Sequence, residues 1–293
     1  MTQNQSESPF VSVIVPVYNA PEDIRNCLGS LVEQTYPDKR WELLVVDNDS
    51  TDRTPEVVKE YDEAKLLREL EIQGSYAARN KGMKNADGEI IAFIDSDCTP
   101  EPDWLEQGVK GLSCKSADLG GGKVRFTYSS THSAAEMYDS MVNMQIEQNI
   151  KERSVAKTAN LFVRKEVFEA IGMFPSGVKS GGDVAWTKKA TDEGHQLIYL
   201  ESAIVSHPAR SFRPLLRKQC RVGKGKYDSG TNSGIQYFLR QLLPPKPTTF
   251  RATLNEKLSA EHLSRKSVVE IYFVGWVCKI ATATGWLFSN IRS

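Results

Sequence analysis

Short apolar runs alternate with helix-like patterns over the first hundred residues. Val11–Val17 is a β-branched run, typical of a strand buried on both faces of a sheet. Leu43–Val46 and Glu89–Asp95 predict two further strands of the same kind, and Lys65–Leu70 predicts a weaker one. The stretches between these runs have the spacing of helices.

Helix-start signals follow the first two strands. Pro21 precedes two acidic residues, and apolar residues then recur at helical spacing, at Ile24, Cys27, Leu28 and Leu31. A second helix is expected to begin with Thr54 as its N-cap and Pro55 in its first turn, and a third to cover Tyr76–Asn85. Alternating strands and helices predict an α/β fold: a Rossmann-like, mostly parallel sheet with right-handed crossovers and flanking helices.

The pattern changes in the last third of the chain. Residues 208–226 hold seven Lys or Arg and no acid, with basic residues at helical steps of three and four, at Arg210, Arg213, Arg217, Arg221 and Lys224. The proline-rich stretch Pro244–Pro247 then separates a final apolar segment, Val268–Phe288. We therefore expect a polar tail at 1–10, an α/β domain at 11–207, and a basic, partly amphipathic helical extension at 208–293.

The final apolar segment is long enough to span a membrane, but Glu270 and Lys279 lie within it. Because buried charges are costly, a docked or interfacial helix is favoured over a span, although docking, lying in and spanning the membrane all stay open. Five cysteines without CxxC spacing and an N-terminus without an apolar leader fit a reducing compartment. The expected location is cytoplasmic, with peripheral attachment to the inner face of the membrane as an option.

The net charge of zero conceals an asymmetry. Residues 1–110 hold 11 basic and 22 acidic side chains, whereas residues 208–293 hold 15 basic and 4 acidic ones. The balanced total argues against a protein that coats nucleic acid, and the average apolar content argues against disorder. The basic end suits a phosphate group or an anionic membrane surface.

Polar residues follow three of the predicted strands. Tyr18 and Asn19 follow the first strand, Asp47 and Asn48 the second, and Asp95 and Asp97 end the strand at 89–95. Ligands of parallel sheets lie beyond the carboxyl ends of the strands. Asp95 and Asp97 can face one ligand because alternate side chains of an extended segment share a side. Clustered carboxylates of this kind suit Mn²⁺ or Mg²⁺ shared with phosphates.

Other polar or glycine-rich positions have less certain roles. Asp52 is interpreted as a turn residue, and Trp104 as an anchor of a helix start or an acceptor contact. Gly120–Gly122 is either a close approach to a ligand or a flexible loop. His132, His195 and His262 have no partner pattern and are expected to be structural or exposed.

Three segments together carry a family resemblance: VSVIVPVYN, ELLVVDNDSTD and SYAARNKGMKNADGEIIAFIDSDC. In this order they resemble the family 2 glycosyltransferases with the A-type nucleotide-binding fold, and the likeness extends from Val11 to His207. The resemblance implies that the 11–207 domain binds a nucleotide sugar and carries the catalytic site.

The resemblance also implies roles for single residues. Nucleotide-binding positions would be Pro16, Tyr18, Asn19, Asp47, Asn48, Arg79, Asn80 and Asp95. Donor-sugar positions would be Ala159 and Asn160, and metal positions Asp97, Asp95 and His207. Asp183 would be the general base. Arg210, Arg213 and Arg217 are candidates for contact with the donor diphosphate or with a membrane.

Two positions depart from the family pattern. Many relatives have a second Asp where this chain has Asn48, which leaves the identity of the donor's nucleobase open. Relatives place a Glu before the general base, and this chain has Gly182 there. The QxxRW signature of processive synthases is also absent, because Gln219–Val222 does not match it. Single-sugar transfer is therefore favoured over polymerisation.

The sequence predicts an inverting, divalent-metal-dependent glycosyltransferase of polysaccharide or glycolipid biosynthesis. It would move one sugar from a nucleoside-diphosphate sugar, with a UDP-sugar as the first guess, to a hydroxyl of a glycan or lipid-linked acceptor. One alternative is a sugar-nucleotide nucleotidyltransferase, which the loop PVYNAPED speaks against because it lacks glycine and basic residues. The other is a catalytically impaired, membrane-docked binding protein of the same fold. Donor, acceptor, linkage and oligomeric state are left open.

Overall fold

The computed structural model describes residues 8–228, 235–258 and 263–292. Most of the predicted polar tail, and His262, lie outside these residues. The chain divides into two compact units. Unit 1 comprises the residues up to Arg125, Ile146–Gly177 and Gly182–His207, and unit 2 comprises Phe126–Gln145, Val178–Gly181 and the residues from Pro208 onward.

Within the described residues, eight strands form one sheet. They are β1 (Val11–Val17), β2 (Trp41–Asp47), β3 (Ala64–Arg68), β4 (Ile90–Ile94), β5 (Thr99–Pro100), β6 (Leu119–Thr127), β7 (Asn160–Arg164) and β8 (Leu197–Pro208). Their order is β3-β2-β1-β4-β7-β6-β8-β5. Strands β3, β2, β1 and β4 are parallel neighbours, β7 is antiparallel to β4 and β6, and β5 is antiparallel to β8. The predicted α/β fold class is confirmed.

Twelve α-helices are present in the described residues. They are α1 (Pro21–Leu31), α2 (Thr54–Val58), α3 (Ser75–Met83), α4 (Trp104–Cys114), α5 (Ala134–Val142), α6 (Ile146–Arg153), α7 (Lys165–Ile171), α8 (Gly182–Asp192), α9 (Phe212–Asp228), α10 (Ile235–Leu242), α11 (Pro247–Leu258) and α12 (Arg265–Arg292). The four apolar residues predicted on one face of α1 are all buried. The prediction for α2 was wrong by one residue, because Arg53 is its N-cap and the Asp52 carboxylate accepts from the Thr54 N–H at 3.0 Å.

Parallel pairing in unit 1 brings the strand ends together. Every residue of β1 is buried, and the register pairs Val17 with Asp47 on β2. On the other side Ile14 pairs with Phe93, one residue before the end of β4. Because the strands point the same way, the loops that begin at Tyr18, Asn48 and Asp95 share one edge of the sheet.

The glycines at 120–122 belong to a packed strand, so the predicted flexible loop was wrong. They lie in β6, and all three are buried. A Cβ on Gly120 would lie 2.4 Å from Leu200 Cδ1, and one on Gly122 would lie 2.3 Å from Asn160 Nδ2. The glycines are needed because side chains of neighbouring strands fill their space.

Unit 2 is built around α12. Two apolar clusters join it to α5, α9 and α11, one containing Leu215 and Val274 and the other Phe250 and Ile271. At Gly223 a Cβ would lie 2.0 Å from the Thr282 backbone oxygen, so α9 and α12 meet backbone to backbone. This helix is the one candidate membrane span among the described residues, and half of its apolar segment within Arg265–Phe288 is buried. A core helix of a soluble protein passes the same test.

Candidate active site

The loops after β1 and β2 are fixed to each other by side-chain hydrogen bonds. The Asn19 N–H donates to Ser50 Oγ at 2.9 Å, and Asn19 Oδ1 accepts from the Thr51 N–H at 2.8 Å. Asn19 has a φ of 46°, a left-handed conformation that Asn tolerates better than most residues. Tyr18 beside it leaves half of its side chain exposed at the strand mouth.

Asp47 is fully buried at the end of β2. Its carboxylate accepts from the Ser50 N–H at 3.3 Å and pairs with Arg68 Nη2 at 3.3 Å. Arg68 lies at the end of β3, which pairs with β2 in register. The sequence pattern contained no signal for this pair, because it depends on the register of two strands.

Asn48 and Asn80 use their amides to hold backbone. Asn48 Nδ2 donates to the carbonyls of Glu69 and Ile72, each at 3.0 Å, and its Oδ1 accepts from the Gly74 N–H. Asn80 Nδ2 donates to the Phe174 carbonyl at 2.9 Å, and its Oδ1 accepts from the Phe174 N–H. Both amides are buried, and these hydrogen bonds are made to backbone groups of neighbouring loops. Their nucleotide-binding role stays a prediction.

Asn160, at the start of β7, is a polar residue of the core. Its amide donates to the carbonyls of Lys123 and Ala203 and accepts from Trp104 Nε1 at 2.9 Å. Ala159 beside it is also buried. Trp104 is the first residue of α4 and is fully buried, so it anchors the start of that helix. The donor-sugar role predicted for Ala159 and Asn160 stays a prediction.

Arg79 and Asp95 form an ion pair that is buried on the arginine side. Arg79 lies on α3 with 4% of its side chain exposed, and its Nη2 contacts Asp95 Oδ1 just beyond β4. Arg79 Nε is buried and has no hydrogen-bond partner among the described residues. Loss of Asp95 would be costly, because the buried guanidinium of Arg79 would be left uncompensated.

Tyr76 connects this ion pair to Asp183. The Tyr76 ring lies 5.6 Å from Arg79 Cζ, and its hydroxyl donates to Asp183 Oδ1 at 2.9 Å. Asp183, in the first turn of α8, also accepts from the N–H groups of Val184 and Thr158. Burial, and then the charge of Asp183, raise the pKa of Tyr76 above its usual range. The sequence interpretation missed Tyr76, whose only signal was its place three residues before Arg79.

Asp97, Cys98 and His207 form a second cluster in unit 1. Their potential ligand atoms lie within 4.8 Å of one another, and His207 Nε2 is 3.4 Å from Asp97 Oδ2. His207 and Cys98 are fully buried, whereas Asp97 is partly exposed. Burial, followed by the charges of Asp97 and Asp95, raises the pKa of the Cys98 thiol well above its usual value.

The donor set fits a divalent cation. Carboxylate oxygen and imidazole nitrogen suit Mn²⁺, and a carboxylate with water suits Mg²⁺. Asp97 and His207 are therefore the best candidates for direct ligands. Asp95, also predicted as a metal position, has one oxygen engaged by Arg79.

The basic residues predicted for diphosphate or membrane contact lie in unit 2. The Arg210 N–H donates to Asp139 Oδ2 at 2.9 Å, and Lys218 Nζ lies 3.7 Å from Asp139 Oδ1. Asp139 is fully buried, so these contacts compensate its charge. Arg213 and Arg217 are exposed. Arg210 thus has a structural contact, and the binding roles of all three arginines stay predictions.

Comparison with known proteins identifies the family. The model of Glycosyl transferase family 2 matches residues 12–172, more than half of the chain. The chain belongs to this family. It is also 44% identical over 301 residues to the glycosyltransferase AglE of Haloferax volcanii, covering 98% of each chain. The chain is therefore a glycosyltransferase, as predicted. The loops that begin at Tyr18, Asn48 and Asp95 lie in the matched region.

Solved structures share the fold. The mannosyltransferase PcManGT from Pyrobaculum calidifontis, in complex with GDP-Man and Mn²⁺, matches 97% of this chain and 88% of its own with a TM-score of 0.67 and 22% identity. TarS 1–349 of S. aureus, in complex with UDP-GlcNAc, matches 96% of this chain and 92% of its own with a TM-score of 0.57 and 19% identity. These likenesses show the A-type glycosyltransferase fold.

Metal binding is expected to depend on Asp97 and His207. Asp97→Asn and His207→Gln should each weaken Mn²⁺ binding by about tenfold or more, because each removes one direct ligand. Calorimetric titration with Mn²⁺ in the presence of UDP or GDP would measure it. The matched control is the pair His195–Asp118, which has a similar N···O distance of 3.5 Å. Equal Mn²⁺ affinity in Asp97→Asn, His207→Gln and Asp118→Asn would contradict the assignment.

Proposed function

We propose that this glycosyltransferase is a metal-dependent, inverting enzyme that moves one sugar from a nucleoside-diphosphate sugar to an acceptor hydroxyl. The observation that carries the proposal is the setting of Asp183. This partly exposed carboxylate accepts three hydrogen bonds from described residues, two on Oδ1 and one on Oδ2. A carboxylate has about four acceptor positions, so one position on Oδ2 is left for the acceptor hydroxyl.

Asp183 would act as the general base. Its Oδ2 would take the proton of the acceptor hydroxyl while the acceptor oxygen attacks the anomeric carbon and the nucleoside diphosphate leaves from the opposite face. One base is enough for such a single displacement. A double displacement would need an enzyme carboxylate as the nucleophile. Asp95 is poorly suited to this because it is paired with Arg79.

The leaving diphosphate needs positive charge. Asp97 and His207 would hold the cation, which supplies charge stabilisation to the leaving diphosphate when bound. Arg79 would add a second positive charge, and its Nε has no hydrogen-bond partner within the part of the chain that the structure describes. We propose that Tyr18, exposed at the mouth of β1, stacks on the nucleoside base.

The names of similar proteins support a UDP-sugar or a GDP-sugar as the donor. A family relative in Escherichia coli, 45% identical over 90 residues and 35% of its own length, is named as a glucosyltransferase that uses UDP-Glc and a GlcNAc-diphosphoundecaprenol acceptor. Solved neighbours carry GDP-Man or UDP-GlcNAc. We therefore keep a UDP-sugar as the first donor, a GDP-sugar as the second, and a glycan or lipid-linked acceptor.

A donor panel tests the proposal. With Mn²⁺ present, UDP-glucose, UDP-GlcNAc and GDP-mannose are compared for protection against thermal unfolding, because a bound donor at about 100 times its Kd adds about 2.7 kcal/mol of stability. Asp183→Asn should retain donor protection yet lower nucleoside-diphosphate release by about 100-fold or more. The control is Asp192→Asn, whose carboxylate pairs with Lys188 at the other end of α8.

Two outcomes would contradict the proposal. Full turnover in Asp183→Asn would remove Asp183 as the base. Absence of protection and of release with every donor would favour the catalytically impaired binding protein.

We also propose that unit 2 attaches the enzyme to an anionic membrane surface, from the cytoplasmic side. Exposed apolar side chains lie on α10 and α12, including Leu239, Val269 and Phe273. Exposed arginines lie on α9, including Arg213 and Arg217. Anionic lipids attract such basic segments at about 1 kcal/mol per residue. A membrane surface would also supply a lipid-linked acceptor.

Vesicle binding should depend on the exposed arginines. The double variant Arg213→Glu/Arg217→Glu should lose about tenfold or more in co-sedimentation with phosphatidylglycerol vesicles at low salt. Lys151→Glu/Lys188→Glu, with the same charge change on unit 1 helices, is the control. Failure of the wild-type chain to sediment with anionic vesicles would contradict membrane attachment.

A further inference from the structure

We propose that Tyr76 is a positioning residue for Asp183, and that Gly182 lacks a side chain because the Tyr76 ring occupies that space. The inference rests on the proposed role of Asp183 as the general base. It assigns to this pair the task of presenting one carboxylate oxygen, in one orientation, to the acceptor.

The hydrogen bonds on Asp183 are unevenly shared. Oδ1 accepts from the Tyr76 hydroxyl at 2.9 Å and from the Val184 N–H at 2.9 Å, which uses both of its acceptor positions. Oδ2 accepts from the Thr158 N–H at 3.3 Å. Two of these donors are backbone groups of unit 1. The Tyr76 hydroxyl is the side-chain donor, and it fixes the rotation of the carboxylate about χ2.

The Tyr76 ring is itself held in place. Only 6% of the residue is exposed, and its ring centroid lies 6.0 Å from that of Phe174. The Arg79 guanidinium lies 5.6 Å from the ring centroid, at cation–π distance. A ring held from several sides cannot easily swing its hydroxyl away, so the hydroxyl is a fixed donor. Its raised pKa keeps it protonated across the physiological range.

Gly182 completes the fit. A Cβ at this position would lie 2.8 Å from Tyr76 Cε2, closer than real Cβ atoms approach, and 3.0 Å from Tyr76 Cζ. Any side chain at 182 would therefore displace the ring and move its hydroxyl from Asp183. The space next to Asp183 holds either a side chain on residue 182 or this tyrosine ring.

The first test removes the hydroxyl and keeps the ring. Tyr76→Phe should lower kcat for nucleoside-diphosphate release about tenfold, because a hydrogen bond to a charged group is lost. KM for the donor should change less than about twofold. The donors are those of the panel above, with Mn²⁺ and with water as the acceptor. The control is Tyr36→Phe, which removes a buried hydroxyl that donates to the Pro9 carbonyl at 2.6 Å.

The second test couples the two residues. Gly182→Ala should lower turnover in the wild type but cause no further loss in the Tyr76→Ala background, because the ring it displaces is then gone. The control is Gly275→Ala, which places a Cβ 2.7 Å from Tyr138 Cε2 in unit 2. It should affect stability and leave turnover within about twofold of the wild type.

The outcomes separate this inference from the proposed function. Full turnover in Asp183→Asn refutes the base itself. Loss of turnover in Asp183→Asn, with unchanged kcat in Tyr76→Phe, refutes only the positioning role. Equal losses of kcat in Tyr76→Phe and Tyr36→Phe, or additive losses for Gly182→Ala and Tyr76→Ala, would also overturn it.

Discussion

The hydrogen bond from Tyr76 to Asp183 connects the parts of the candidate active site. On one side it holds the only carboxylate proposed to receive a proton. On the other side, the same ring makes a cation–π contact with Arg79, which pairs with Asp95 just beyond β4. Three consecutive contacts therefore link α8, α3 and the sheet edge. If the ring moves, Asp183 loses a hydrogen bond and Arg79 loses a cation–π contact.

The site is rigid because its amides are committed to backbone. Asn48 closes the stretch that leads into α3, and Asn80 fixes the segment around Phe174 against the same helix. Unpaired buried amides are costly, so these contacts hold the surrounding loops in single conformations. Asp97 and Asp183, the carboxylates proposed to have chemical roles, are instead partly exposed. Buried amides thus hold the surrounding backbone, and the acids proposed to face the ligands are the partly exposed ones.

Much of unit 1 could be predicted from the sequence because its signals are local. The run Val11–Val17 is β1 itself, and the acids after β4 are at the sheet edge as expected. The antiparallel half escaped prediction because Gly120–Gly122 looks like a loop until Leu200 and Asn160 are seen to fill its space. Gly182 looked like the loss of a catalytic partner for the same reason. Contacts such as Tyr76–Asp183 join residues 107 positions apart, and only the fold brings them together.

If one base, Asp183, drives a single displacement at the anomeric carbon, the released sugar has inverted configuration. Proton NMR can record which anomer of the free sugar appears first when the enzyme hydrolyses an α-configured donor such as UDP-glucose in the presence of Mn²⁺. We expect β-glucose as the first product, before it equilibrates, and loss of that product in Asp183→Asn. Initial release of α-glucose would mean retention through two displacements and would contradict the claim.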